Sequence, residues 1–127
     1  MQTQREITAE EAAHRETARQ TIAEIARFLQ DTFSQRLTAH IAGIEDPKQV
    51  GKWCTAHNTP RIDSELRLRA AFQVFQTIEH AENCHTARAW MIGMNPQLDD
   101  DSPLQAIAAD RFKDVMAAAR SYIKGDL

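Results

Sequence analysis

Every apolar stretch of this chain repeats with the period of a helix, and no stretch alternates apolar and polar residues as a half-buried strand must. That one feature predicts an all-α fold. The 127 residues, 43% of them hydrophobic, are enough for one core. The four glycines and four prolines fall between the periodic stretches, where they punctuate about seven helices.

The first helix is expected to open at Thr8, with Glu11 completing a capping box, and to run unbroken to about Phe33. Ala18, Ile22, Ile25, Ala26, Leu29 and Phe33 form its inward stripe. Residues 35–42 then make a short helix ended by Gly43, and Asp46-Pro47 caps and opens another over 47–56. Residues 66–78, from Leu66 to Ile78, are apolar on most of the circumference, which predicts a buried central helix. Asn83 caps a helix that runs to about Met94 and carries Trp90 as a core residue, and Asn95-Pro96 stops it. The run Asp99-Asp100-Asp101 reads as a turn, and Ser102-Pro103-Leu104-Gln105 combines an N-cap, a first-turn proline and a capping-box glutamine. A last helix over 110–124 ends at Gly125. The chain divides into an N-terminal helix (1–34), a helix-turn-helix region (35–80) and a C-terminal region (81–127).

The net charge of −3 conceals its distribution: residues 36–70 sum to +2, and every other segment is negative. A phosphate-binding surface therefore belongs in that segment. The two short helices around Gly43 have helix-turn-helix spacing, and the second puts Lys48, Gln49 and Lys52 on its outer side. There lysine can reach guanine or phosphate, and glutamine can pair with adenine. With Thr38 on the first helix and Arg61 after Pro60, these are the candidate DNA-binding residues.

No apolar run approaches the length of a membrane span, and Met1-Gln2-Thr3-Gln4-Arg5-Glu6 opens no signal region, so the expected compartment is the cytosol. Cys54 and Cys84 are then expected to stay reduced. Cys54-x-x-His57 and His80-x-x-x-Cys84-His85 hold zinc donors, yet their spacings match no familiar zinc pattern, so no metal or other cofactor is expected. There is no nucleophile elbow, glycine-rich phosphate loop or paired carboxylate, and no enzyme is expected.

Ile41-Ala42-Gly43-Ile44 with Trp53 resembles the glycine turn and closing aromatic of an Xre-type helix-turn-helix, with one extra residue between Gly43 and Trp53. Trp90, Asn95-Pro96, Leu98 and the Pro103-Leu104 opening resemble the toxin-binding region of Xre/MbcA/ParS-type antitoxins. The resemblance implies a repressor that binds operator DNA as a homodimer and covers a RES-domain toxin with its C-terminal helices. It places partner contacts at Asn95, Leu98, Ser102, Leu104 and Tyr122. The alternative is a phage or mobile-element regulator that uses the same C-terminal module only to self-associate.

Overall fold

A computed structural model describes residues 2–125, with side chains from Ala9 onward. All regular structure in that range is helical: α1 (Gln2–Arg19), α2 (Ile22–Phe33), α3 (Gln35–Ala42), α4 (Lys48–Cys54), α5 (Ile62–Ala81), α6 (Cys84–Ile92), α7 (Pro103–Ala108) and α8 (Phe112–Lys124), with one 3-10 turn at Pro96–Leu98. The all-α expectation holds, with eight α-helices where about seven were expected. Among the described residues no helix is long and apolar enough to cross a membrane.

The extra helix comes from a break at residues 20–21. Thr21, in extended conformation, accepts from the Glu24 N–H at 3.1 Å, and Glu24 accepts from the Thr21 N–H at 2.8 Å. This is the capping box expected at Thr8 and Glu11, thirteen residues later in the chain. Thr8 lies inside α1, and its side chain is outside the described ones. Because α1 and α2 are separate, Ala18 is not in the inward stripe: it is exposed, and α1 turns Ala9, Ala13 and Thr17 inward.

The central helix is α5, which packs against α1, α2, α3, α6, α7 and α8. Phe75 is the hub of an aromatic cluster, edge-on to Phe28 at 5.2 Å and to Phe33 at 6.0 Å, and Phe28 also meets Phe72. The all-round burial expected from residue 66 starts later, at Leu68; Leu66 is 52% exposed and Ile62 71%. A single core cluster takes in residues from α2 to α8, including Ile25, Ile41, Val50, Met91, Leu98, Ile107 and Val115. The three segments read from sequence therefore share one interior.

Local caps fix the remaining boundaries. Asn83 accepts from the Thr86 N–H at the start of α6, and Ser102 and Gln105 form the expected reciprocal box at α7. Gly43 and Gly125 both end helices in the left-handed conformation. Helix α6 stops at Ile92, two residues short of Met94, α4 stops at Cys54, and α8 opens at Phe112 after Asp110 takes a positive φ.

Helix α1 is held at its middle and at its C-terminal end by arginines. Arg69 donates to the carbonyls of Thr17 and Gln20 at its C-terminal end, and Arg120 of α8 grips Glu10 through two bonds of 2.8 and 2.9 Å. The Arg120 hydrogen bonds hold the Glu10 carboxyl below the usual carboxylate range. A carboxylate depressed in the folded state adds stability above its unfolded pKa and loses it as pH falls through the folded value. Glu10→Gln is therefore expected to lower the melting temperature slightly at neutral pH, by the equivalent of about 1 kcal/mol or less for so exposed a pair. The variant and the parent should melt together once the pH falls below the folded-state value; a gap that persists in acid would show that the side chain acts by packing.

Candidate nucleic-acid interface and partner surface

The pair α3–α4 is joined by a turn fixed at two points. At Gly43 the backbone is left-handed (φ 80°), which favours glycine, and a Cβ there would sit 2.6 Å from the Arg67 guanidinium and push that side chain aside. The last carbonyl of α3, on Ala42, accepts from Ser64 Oγ at 2.8 Å and from Arg67 at 2.9 Å. At the far side of the turn the Asp46 carboxylate accepts from the Lys48 N–H at 3.0 Å, but α4 opens at Lys48 with Pro47 in the N-cap position, one residue later than the Asp46 cap and Pro47 start expected from sequence. Gln35 of α3 lies 3.1 Å from where a Cβ on Gly51 would be, so the start of α3 meets the middle of α4.

Helix α4 packs chiefly on α2 and α3, at the edge of the molecule. Val50, Trp53 and Cys54 are buried, and Arg27 donates to the Cys54 carbonyl at 2.8 Å. Its outer side carries Lys48 and Lys52, both exposed, and half-buried Gln49, whose amide oxygen accepts from Asn58 at 3.5 Å. Arg61 is exposed just before α5. Of the five candidate DNA contacts, Lys48, Gln49 and Lys52 thus lie together on α4, and Arg61 is exposed in the segment that follows it. The fifth, Thr38, does not reach the surface: it is fully buried, and its hydroxyl donates to the Ser34 carbonyl at 2.7 Å. An intrahelical bond of this kind occupies the hydroxyl that base reading would need.

Many arginines elsewhere are neutralised: Arg67 by Asp110, Arg69 by Glu65, Arg120 by Glu10, and Arg111 by Asp99, Asp101 and Asp114, whereas Arg27 and Arg88 donate to the backbone carbonyls of Cys54 and Thr32. Among the described residues, Lys48, Lys52 and Arg61 form no ion pair, and neither does Arg36, exposed in the first turn of α3. Arg36 was not among the residues singled out from sequence. Its signal, a cation left without a carboxylate, exists only once the chain is folded.

At the C-terminal side, Asn95 organises the chain reversal. Its side chain accepts from the Gln97 N–H at 2.9 Å, and its carbonyl accepts from the Leu98 and Asp100 N–H groups. The three aspartates form the expected turn, with Asp99 and Asp100 at positive φ and Asp99 and Asp101 paired with Arg111. Of the five residues assigned to partner contact, Leu98, Ser102 and Leu104 are buried, with exposures of 0%, 8% and 3%, and so hold the surface from beneath without touching a partner. Asn95 and Tyr122 do line a groove, about 340 Å³ in volume, with Ala89, Trp90, Met94 and Ala118. Trp90 is half-buried on the wall of this groove, not in the core, and its ring lies 6.1 Å from that of Tyr122. Met94, 78% exposed, is the groove residue that sequence reading missed.

Among the described residues no group of three His, Cys, Asp or Glu side chains is placed to hold a metal ion. Comparison with protein-family models, with curated proteins and with solved structures gives no match.

Proposed function

We propose that this chain is an antitoxin-like transcriptional repressor of the cytosol that acts by binding, not by catalysis. Helices α3 and α4 hold operator DNA, and the groove between α6 and α8 takes a protein partner, for which the C-terminal resemblance implies a RES-domain toxin. The observation that carries the DNA-binding half is that Lys48 and Lys52 stand exposed and without an ion pair on the outer side of a short helix that follows a glycine turn, on a chain of net charge −3 most of whose arginines are paired. Free cations on an exposed helix side are what a phosphate backbone recruits, whereas paired ones contribute little. Burial of Val50 and Trp53 behind Lys48 and Lys52 means that the outward side of α4 can be changed without opening the core.

Replacing Lys48, Gln49 and Lys52 together by alanine should therefore leave the thermal melt nearly unchanged and remove binding to the DNA upstream of the coding sequence. Each lost phosphate contact should flatten the plot of log affinity against log salt by about 0.9, and a lost base contact should cost about 1–3 kcal/mol of sequence discrimination. A folded triple variant that binds the same duplex as tightly as the parent would sink this reading.

A further inference from the structure

The groove between α6 and α8 is set apart by its chemistry. Among the described residues no charged side chain lines it: Trp90, Met94, Pro96 and Tyr122 supply ring and alkyl surface, and Asn95 and Gln97 supply neutral amides. A second groove, between α5 and α8, is by contrast lined by Arg69, Lys113 and Arg120. An occupant of the first groove therefore gains nothing from carrying a net charge.

The same residues hold hydrogen-bond donors that the described chain does not use. The Asn95 side-chain oxygen is taken by the Gln97 N–H, so what Asn95 has left to offer is its NH2 group. The Trp90 indole N–H, the Tyr122 hydroxyl and the Gln97 amide likewise have no partner among the described residues. No buried side-chain nitrogen or oxygen lacks a partner, so the unbonded N–H groups of half-buried Trp90 and Asn95 are open to solvent.

Donors without cations call for an occupant with neutral acceptors to spare. A docked α-helix has its backbone carbonyls engaged by its own N–H groups, and a carboxylate would meet no cation here. A chain in the polyproline-II conformation has no internal hydrogen bonds and leaves its carbonyls free. The rings suit it too. Trp90 and Tyr122 lie 6.1 Å apart with their planes at 42°, so neither covers the other as a parallel stack would. Aromatic-lined grooves dock proline-rich segments, whose preformed conformation makes ordering cheap.

We infer that this groove binds an extended, uncharged, proline-rich segment of the partner, with proline rings on Trp90 and Tyr122 and backbone carbonyls accepting from the neighbouring N–H groups. The inference rests on the reading of this groove as the partner surface and names the chemistry it selects.

A nuclear magnetic resonance titration of the nitrogen-15-labelled full chain with acetylated, amidated decaproline tests it. The Trp90 indole signal and the side-chain amide signals of Asn95 and Gln97 should shift saturably, and the signal of buried Trp53 should stay in place. Trp90→Phe and Gln97→Met each remove one donor and keep the bulk, and each should weaken binding about two- to tenfold. Tyr122→Ala should weaken it by about tenfold or more. Met94→Asp and Met94→Lys, at a position 78% exposed, should both weaken it, because either sign puts a charge into an uncharged groove. Circular dichroism should show all five variants folded.

No shift of the Trp90 signal at millimolar decaproline overturns the inference. So does an equal shift with a glycine-serine peptide of the same length, tighter binding of an amphipathic leucine-lysine helix, or opposite effects of the two Met94 variants. The co-expressed product of the adjacent gene separates the inference from the reading beneath it. A parent that ignores decaproline but holds that protein, and releases it on Met94→Asp, leaves the partner surface standing and overturns the proline-rich occupant. Decaproline binding that shifts Trp90, with no effect of Met94→Asp on that protein, does the reverse.

Discussion

Phe75→Ala is expected to be the most damaging single substitution in the chain, with a cost of about 3–5 kcal/mol. The ring is 1% exposed and packs edge-on against Phe28 and Phe33, which belong to the neighbouring helix α2. Its removal therefore costs the transfer of a large apolar group, leaves a cavity that rigid helices cannot close, and forfeits two aromatic contacts worth about 0.5–1.5 kcal/mol each. Total stabilities of small domains are about 5–15 kcal/mol, so the loss is a large part of the whole. The measurement is a urea titration followed by far-ultraviolet circular dichroism. A midpoint close to that of the parent would mean that α2 and α5 are not joined through this ring.

The two tryptophans should separate sharply. Trp53, 5% exposed, fills the space under α4 against α2 and α3, and its replacement by alanine should also cost about 3–5 kcal/mol. Trp90 is half-buried on a groove wall beside Tyr122, so Trp90→Ala should cost clearly less and act on whatever occupies that groove. Parallel melts of the two variants decide the matter. Equal losses of melting temperature would put Trp90 back in the core, where sequence reading had it.

Much of the fold could be read along the chain because its helix ends are local chemistry. Asn83, the Ser102–Gln105 box, Gly43 and Gly125 each act within a few residues of themselves, and each was recognisable from its neighbours. The break at Thr21 escaped for a specific reason. Its Thr-x-x-Glu pattern has the same form as the one at Thr8, and an apolar periodicity running from Ala18 to Phe33 argued for continuity. Only packing on α5 distinguishes the two, by leaving Ala18 outside.

The candidate surfaces were less legible, since exposure and neutralisation are properties of pairs distant in sequence. Arg67 meets Asp110 across 43 positions and Arg120 meets Glu10 across 110, so no local pattern tells which arginines are spent and which, like Arg36, are free. Leu98 and Leu104 sat in a recognisable motif, but a motif residue can build a surface from below as well as form it, and burial decides which.

The unequal placement of the two cysteines gives the chain a defined response to oxidants. Cys54 is buried where the Arg27 side chain reaches across to its carbonyl, and burial pushes its thiol pKa up, so little of it is the reactive thiolate. Cys84 stands exposed at the first position of α6. Oxidants, alkylating reagents and thiol-directed labels should therefore find one address on the native molecule, and a spectroscopic probe attached there would leave the hydrophobic interior undisturbed.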